Sequence, residues 1–209
     1  TAAGAEVASY RFCTINPNIG IVPVPDKRLE NIAKLIHPNK MIPTTLDFLD
    51  IAGVVKGASK GEGLGNQFLD EIRKADALIH IVDASGGTDA EGRICKPGER
   101  DPVEDVRFLE VELTMWMASI LKRDWPKIAR TVESESKDLF SMLEERLSGL
   151  AIRRSHAFEA IRKAGLNADK PTAWSEEDFL KFVDTLRQIA KPMLIVANKM
   201  DISTSEENL

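Results

Sequence analysis

Two near-continuous apolar runs constrain the fold of this chain most. They are residues 77–83, Ala-Leu-Ile-His-Ile-Val-Asp, and residues 193–197, Met-Leu-Ile-Val-Ala. A strand with water on one face alternates polar and apolar side chains, whereas a strand covered on both faces does not. Both runs therefore read as buried parallel strands of an α/β sheet with helices on both faces. Two further strands precede them: 19–25, Ile-Gly-Ile-Val-Pro-Val-Pro, ended by proline, and 41–50, Met-Ile-Pro-Thr-Thr-Leu-Asp-Phe-Leu-Asp. Between those two, Asp26 is placed to cap a helix with Leu29, Ile32, Ala33, Leu35 and Ile36 at helical spacing. Residues 67–76 carry Phe68, Leu69 and Ile72 at the same spacing and predict another helix. This β–loop–α–β order predicts an open sheet, whose ligands sit at the carboxyl ends of the strands.

The segment from about 101 to 190 has a different pattern. Asp101-Pro102-Val103-Glu104 supplies a cap, a proline in the first turn and an acid at the third position. Val106, Leu109, Leu113, Trp116 and Ile120 follow at helical spacing. After Asp124-Trp125-Pro126 a second stripe runs through Val132, Leu139, Leu143, Leu147 and Leu150. Two stripes joined by a tight break predict an antiparallel helical hairpin. Ser175-Glu176-Glu177-Asp178 opens a last helix with Phe179, Phe182, Leu186 and Ile189 inward. Trp116, Trp125 and Trp174 fit helix packing. Arg153-Arg154 with Arg162-Lys163 read as a solvated face.

Composition excludes several classes. With 209 residues, 43% hydrophobic and 29% charged, the chain is globular rather than disordered. No apolar run reaches the roughly 18 residues of a membrane span. Cys13 and Cys95 form neither a disulfide framework nor a metal spacing, which fits a reducing, cytoplasmic compartment. A net charge of −5 argues against a broad non-specific nucleic-acid surface.

The motifs that carry chemistry fall at strand ends. Asn198-Lys199-Met200-Asp201 directly follows the run 193–197. An Asp carboxylate there accepts two hydrogen bonds from the ring N–H and exocyclic amine of guanine, a donor pair that adenine lacks. The Asn amide serves the other edge of the base, and the Lys stem lies along its face. A site that hydrogen-bonds one base edge discriminates strongly, because the wrong base leaves buried groups unpaired. Asp50-Ile51-Ala52-Gly53 offers a carboxylate for a Mg²⁺ shell and a glycine N–H for a γ-phosphate. Alone it would be a plain Asx-Gly turn. Followed at a distance by a strand and N-K-x-D, it has the order seen in P-loop GTPases. Thr14, in Phe12-Cys13-Thr14-Ile15, precedes both and is placed to coordinate Mg²⁺ with its hydroxyl. The run from Gly53 to Asn66 holds four glycines between 57 and 65 and suits a segment that changes backbone shape with bound nucleotide. It is not a phosphate-cradling loop, since no G-x-x-x-x-G-K-[ST] occurs in the chain. His80 reads as a core histidine, and Asp83 as a cap for the turn after its strand.

These motifs together resemble the Obg-related GTPases of the YchF type, most closely the archaeal branch with a helical insertion. The matching stretches are Phe12–Ile15, Asp50–Gly53, Gly57–Asn66, Asp101–Asp105 and Asn198–Asp201. The resemblance implies a P-loop-GTPase-like α/β fold, with a mostly parallel sheet interrupted by a helical hairpin. It divides the chain into a partial G domain (1–100), a helical insertion (101–190) and a final strand with its guanine loop (191–209). It implies GTP and Mg²⁺ as ligands, slow hydrolysis, and ribosome or RNA as partner. Gly53, Asn198, Lys199 and Asp201 would contact nucleotide, and Thr14 and Asp50 would hold the metal. No catalytic residue is assigned, because Val54 and Val55 stand where many small GTPases orient water with glutamine.

The chain departs from the family pattern in four ways. The pattern places the P-loop segment before Thr1, and it places a fifth guanine loop and a TGS domain beyond Leu209, so the chain reads as a fragment. Arg11 replaces a usual proline. Many YchF proteins lose N-K-x-D and prefer ATP, whereas this chain keeps the motif. The alternatives are an ATP-binding YchF-like ATPase and a protein-interaction module without nucleotide.

Overall fold

The computed structural model describes residues 18–51, 71–88 and 93–208. The chain forms two compact units, residues 1–53 and 54–209.

In the first unit, β1 (Asn18–Pro23) pairs antiparallel with β2 (Thr45–Asp50), in register from Asn18↔Asp50 to Pro23↔Thr45. Between them runs α1 (Lys27–Ile36). Asp26 caps it as the sequence predicts, its carboxylate accepting from the Arg28 N–H at 2.8 Å. His37 ends it in the left-handed region at φ 45°. The apolar stripe forms at the expected spacing but lies exposed: Ile32 is 54% and Leu35 81% accessible.

In the second unit, β3 (Leu78–Asp83) and β4 (Met193–Asn198) form a parallel pair, with Asp83 opposite Asn198 at their carboxyl ends. Both strands lie where the apolar runs place them. Their burial differs from the expectation. β3 alternates, with Val82 buried and Ile79 and Ile81 at 50% and 63% exposure, and Leu194 of β4 is 63% exposed. An unbroken apolar run fixes an extended backbone, but what covers each face depends on segments distant in sequence. Residues 71–74 are helical, with Ile72 buried; residues 67–70 of the predicted helix lie outside the described residues.

Among the described residues five α-helices separate β3 from β4: α2 (Pro102–Lys122), α3 (Trp125–Glu135), α4 (Leu139–Arg146), α5 (Arg154–Ala164) and α6 (Glu176–Ala190). The two-helix hairpin is thus corrected to a small bundle. The second apolar stripe does not run through one helix. It breaks at Ser136, which turns left-handed at φ 51°, and restarts at Asp138, whose carboxylate accepts from the Ser141 N–H at 3.0 Å. Periodicity alone does not show such a break, because the apolar residues keep helical spacing across it, Val132 to Leu139 being two turns. The predicted starts of α2 and α6 hold. Asp101 accepts from the Val103 N–H at 2.9 Å, and Ser175 and Asp178 form a reciprocal capping box.

The bundle core is apolar and aromatic. Leu113, Met117, Leu121, Leu143, Phe182 and Leu186 are all at or below 2% exposure. Trp125 lies against Trp174 and Phe179, with ring centroids at 5.1 and 5.2 Å. Two cations are buried with it. Arg187 bonds Asp184 Oδ1 at 3.0 Å and Thr114 Oγ1 at 3.1 Å, tying α6 to α2. Lys191 donates to the carbonyls of Arg73 and Ala75 at 3.1 and 2.6 Å, satisfying the end of the 71–74 helical turn. Burial lowers the Lys191 ammonium's pKa below its ordinary value, an effect that Asp76 partly offsets.

His80 in β3 is half-buried, and its buried Nδ1 has no hydrogen-bond partner among the described residues. Burial lowers its pKa below the ordinary value, and the nearby charge of Glu110 on α2 opposes this only in part. The folded protein therefore holds His80 neutral, while the unfolded chain protonates first as pH falls. The stability that His80 contributes is complete above its ordinary pKa and is lost as pH falls through the depressed folded value. Wild type should lose urea stability between pH 7.5 and 5.5 at up to about 1.4 kcal/mol per pH unit, the limit for one proton. His80→Phe should flatten this slope. An equally steep slope in the variant would assign the effect to other groups.

Candidate functional site at the carboxyl end of the parallel pair

The parallel register brings the ends of β3 and β4 side by side, so Asp83 and the loop after Asn198 meet although 116 positions separate Asp83 from Lys199. Asn198 closes β4, and its carbonyl accepts from the Ala84 N–H at 3.0 Å. Lys199 then turns into the left-handed region at φ 60°, where residues other than glycine are uncommon. That turn leaves Asn198, Met200 and Asp201 exposed.

Polar bonds hold the turn from three sides. The Lys199 ammonium donates to Asp83 Oδ2 at 2.7 Å. The Lys199 carbonyl accepts from Ser205 Oγ at 2.8 Å and the Ile202 N–H at 3.1 Å. The short 3₁₀ segment Ser203–Asn208 grips the loop after β3: Thr204 Oγ1 donates to the Ser85 carbonyl at 3.0 Å, and Asn208 Nδ2 to the Ala84 carbonyl at 2.8 Å.

Asp83 is the hub. Its side chain is 9% exposed. Besides Lys199, it accepts from Ser85 N at 3.1 Å, Ser85 Oγ at 2.6 Å and Thr88 Oγ1 at 2.8 Å. Burial alone would raise its carboxyl pKa. The hydrogen bonds from Lys199, Ser85 and Thr88, with the Lys199 charge, outweigh burial and hold it below the ordinary value. Asp83 does bond the following turn, as the sequence predicts, but it also binds Lys199, which the sequence reading missed. Gly86 is required in this loop: at φ 64° an added Cβ would collide with the Arg100 carbonyl. The Arg100 N–H returns a bond to the Gly86 carbonyl at 3.2 Å, so the loop runs directly into the Asp101 cap of α2.

Of the predicted site residues, the structure groups Asn198, Lys199 and Asp201 in one turn. Asp50, an exposed carboxylate at the end of β2, belongs to the first unit. Thr14, Gly53 and the glycine run lie outside the described residues. A carboxylate such as that of Asp50 is a hard oxygen donor, the type Mg²⁺ prefers. Among the described residues no three potential metal ligands gather.

A parallel strand pair with a polar turn at its carboxyl end, joined through helices, has the layout of an α/β domain that takes ligands at strand ends. Residues 1–111 match the model of the 50S ribosome-binding GTPase family, and this chain belongs to that family. It is 44% identical over its whole length to an uncharacterised GTP-binding protein of Methanocaldococcus jannaschii, of which it covers 53%. Across 95% of the chain it is 38% identical to the ribosome-binding ATPase YchF of Bacillus subtilis, covering 50% of that protein. A crystal structure of a GTP-binding protein from Pyrococcus horikoshii superposes with a TM-score of 0.67 at 32% identity, over 95% of this chain and 54% of that one. The chain thus spans about half the length of the relatives it matches.

Proposed function

We propose that this chain belongs to a Mg²⁺-dependent GTP-binding switch that hydrolyses nucleotide slowly and acts on the ribosome or on RNA in the cytoplasm. The observation that carries this reading is the preformed turn Asn198–Asp201. A left-handed Lys199, bonded on both its backbone and its ammonium, leaves the Asn198 amide and the Asp201 carboxylate exposed at a strand end. In this reading Asp201 pairs with the guanine N–H groups, Asn198 serves the opposite edge, and the Lys199 stem lies along the ring. Asp50 and Thr14 hold Mg²⁺, which would neutralise phosphate charge, and Gly53 bonds the γ-phosphate.

Family membership and the printed names of the relatives support the ribosomal role; the five-helix segment is the proposed contact. In domain terms, 1–100 and 191–209 form the nucleotide-binding part and 101–190 the insertion. Among the described residues no helix is long and apolar enough to cross a membrane.

The B. subtilis relative is named an ATPase, so ATP is the second reading. Titrating the protein with fluorescent GTP and ATP, with and without Mg²⁺, separates the two. Mg²⁺-dependent binding that favours GTP is the expected result. Preference for ATP overturns the guanine assignment, and binding of neither overturns the nucleotide reading for this chain.

A further inference from the structure

We propose that Asp83 is a positioning residue for the base-reading turn, acting through Lys199 rather than by touching nucleotide. This rests on the guanine reading of Asn198–Asp201 for its functional consequence, but not for its structural claim.

The argument begins with the cost of the turn. Lys199 adopts a left-handed backbone without being glycine, so something must hold it there. Two groups do so. Ser205, fully buried, grips the Lys199 carbonyl, and Asp83 grips the ammonium. Charge-assisted bonds are the stronger kind, and this carboxylate is nearly removed from water, which strengthens the pair further. Asp83 is itself fixed by Ser85 and Thr88, so it is a rigid anchor rather than a mobile partner. With its head tethered to Asp83, the Lys199 stem has few remaining rotamers. A stem that is to lie along a base is then already placed before the base arrives, which lowers the ordering cost of binding.

The same carboxylate also organises residues 84–88. A purely local role there would be structural and independent of Lys199, and a double-mutant cycle separates the two roles. Asp83→Asn keeps shape and some hydrogen bonding but removes the charge; Lys199→Met removes the ammonium and keeps most of the stem. Hydrogen exchange at the amides of residues 199–205 is the first readout, taken on the protein without nucleotide. Each single variant should speed exchange there by about tenfold, the scale of one lost charge-assisted bond. Asp83→Asn should add almost nothing on the Lys199→Met background. The second readout is the GTP-to-ATP affinity ratio, which should fall by about tenfold in Asp83→Asn, while Val111→Ala, at an exposed position of α2, should change it by less than about threefold.

Unchanged exchange at 199–205 in Asp83→Asn, or an equal increment with and without Lys199, overturns the proposal. If Asp83→Asn does not fold, Lys199→Met alone decides: exchange unchanged by it overturns the proposal, and faster exchange confined to the turn supports it. If wild type shows no guanine preference, the guanine reading fails, and the exchange cycle still decides whether Asp83 holds the turn.

Discussion

Replacing Phe182 with alanine should destabilise the helical bundle by about 3–5 kcal/mol. Phe182 is completely buried on α6, with Trp174 at 5.4 Å and Trp125 at 6.2 Å between ring centroids. Removing the ring loses its transfer free energy and leaves a cavity that rigid neighbours fill poorly. Those neighbours come from α3, from the Pro171–Ala173 turn region and from α6, so collapse into the void would require several elements to move together. Urea unfolding followed by tryptophan fluorescence is the suitable measurement, because two of the three tryptophans border the lost ring. Val111→Ala provides the contrast: at 59% exposure it should change stability by less than about 0.5 kcal/mol. A loss below about 1 kcal/mol in Phe182→Ala would show that the aromatic cluster does not hold the bundle together.

Asp201→Asn should weaken GTP binding by about 2–4 kcal/mol while leaving ATP binding unchanged. In the proposed pose the carboxylate accepts two N–H bonds from guanine. An asparagine amide turns one acceptor into a donor, which then faces another donor, so the cost exceeds that of simple deletion. The chemistry also supplies its own control. Xanthine carries a carbonyl where guanine carries the exocyclic amine, and the variant's new N–H can donate to it. Xanthosine triphosphate should therefore bind the variant better than GTP does. Asp201 is exposed, so the fold should tolerate the change. An unaltered GTP-to-ATP ratio would remove Asp201 from base recognition.

The two predictions differ in how they could be reached. The aromatic cluster is only half legible from residues alone. The spacing of Phe179, Phe182 and Leu186 marks one buried face of α6, but nothing local says that Trp125 and Trp174 close over it. The Asn198–Asp201 turn is legible as a motif, because an apolar run fixes the strand before it and residue chemistry fixes what its side chains can bond.

The sequence by itself determined where several elements begin. Asp26, Asp101 and Ser175 start helices because their side chains satisfy amide groups two or three residues away, within reach of local sequence. The runs at 77–83 and 193–197 are strands for an equally local reason. The helix break at Ser136 escaped that reasoning, since the apolar residues keep helical spacing beyond it. Burial of the strand faces escaped it too, because an apolar side chain states a preference and not which segment meets it. The bond between Lys199 and Asp83 belongs wholly to the tertiary structure. It exists because the parallel register of β3 and β4 sets their carboxyl ends side by side, bringing together two charges that the chain itself keeps 116 positions apart.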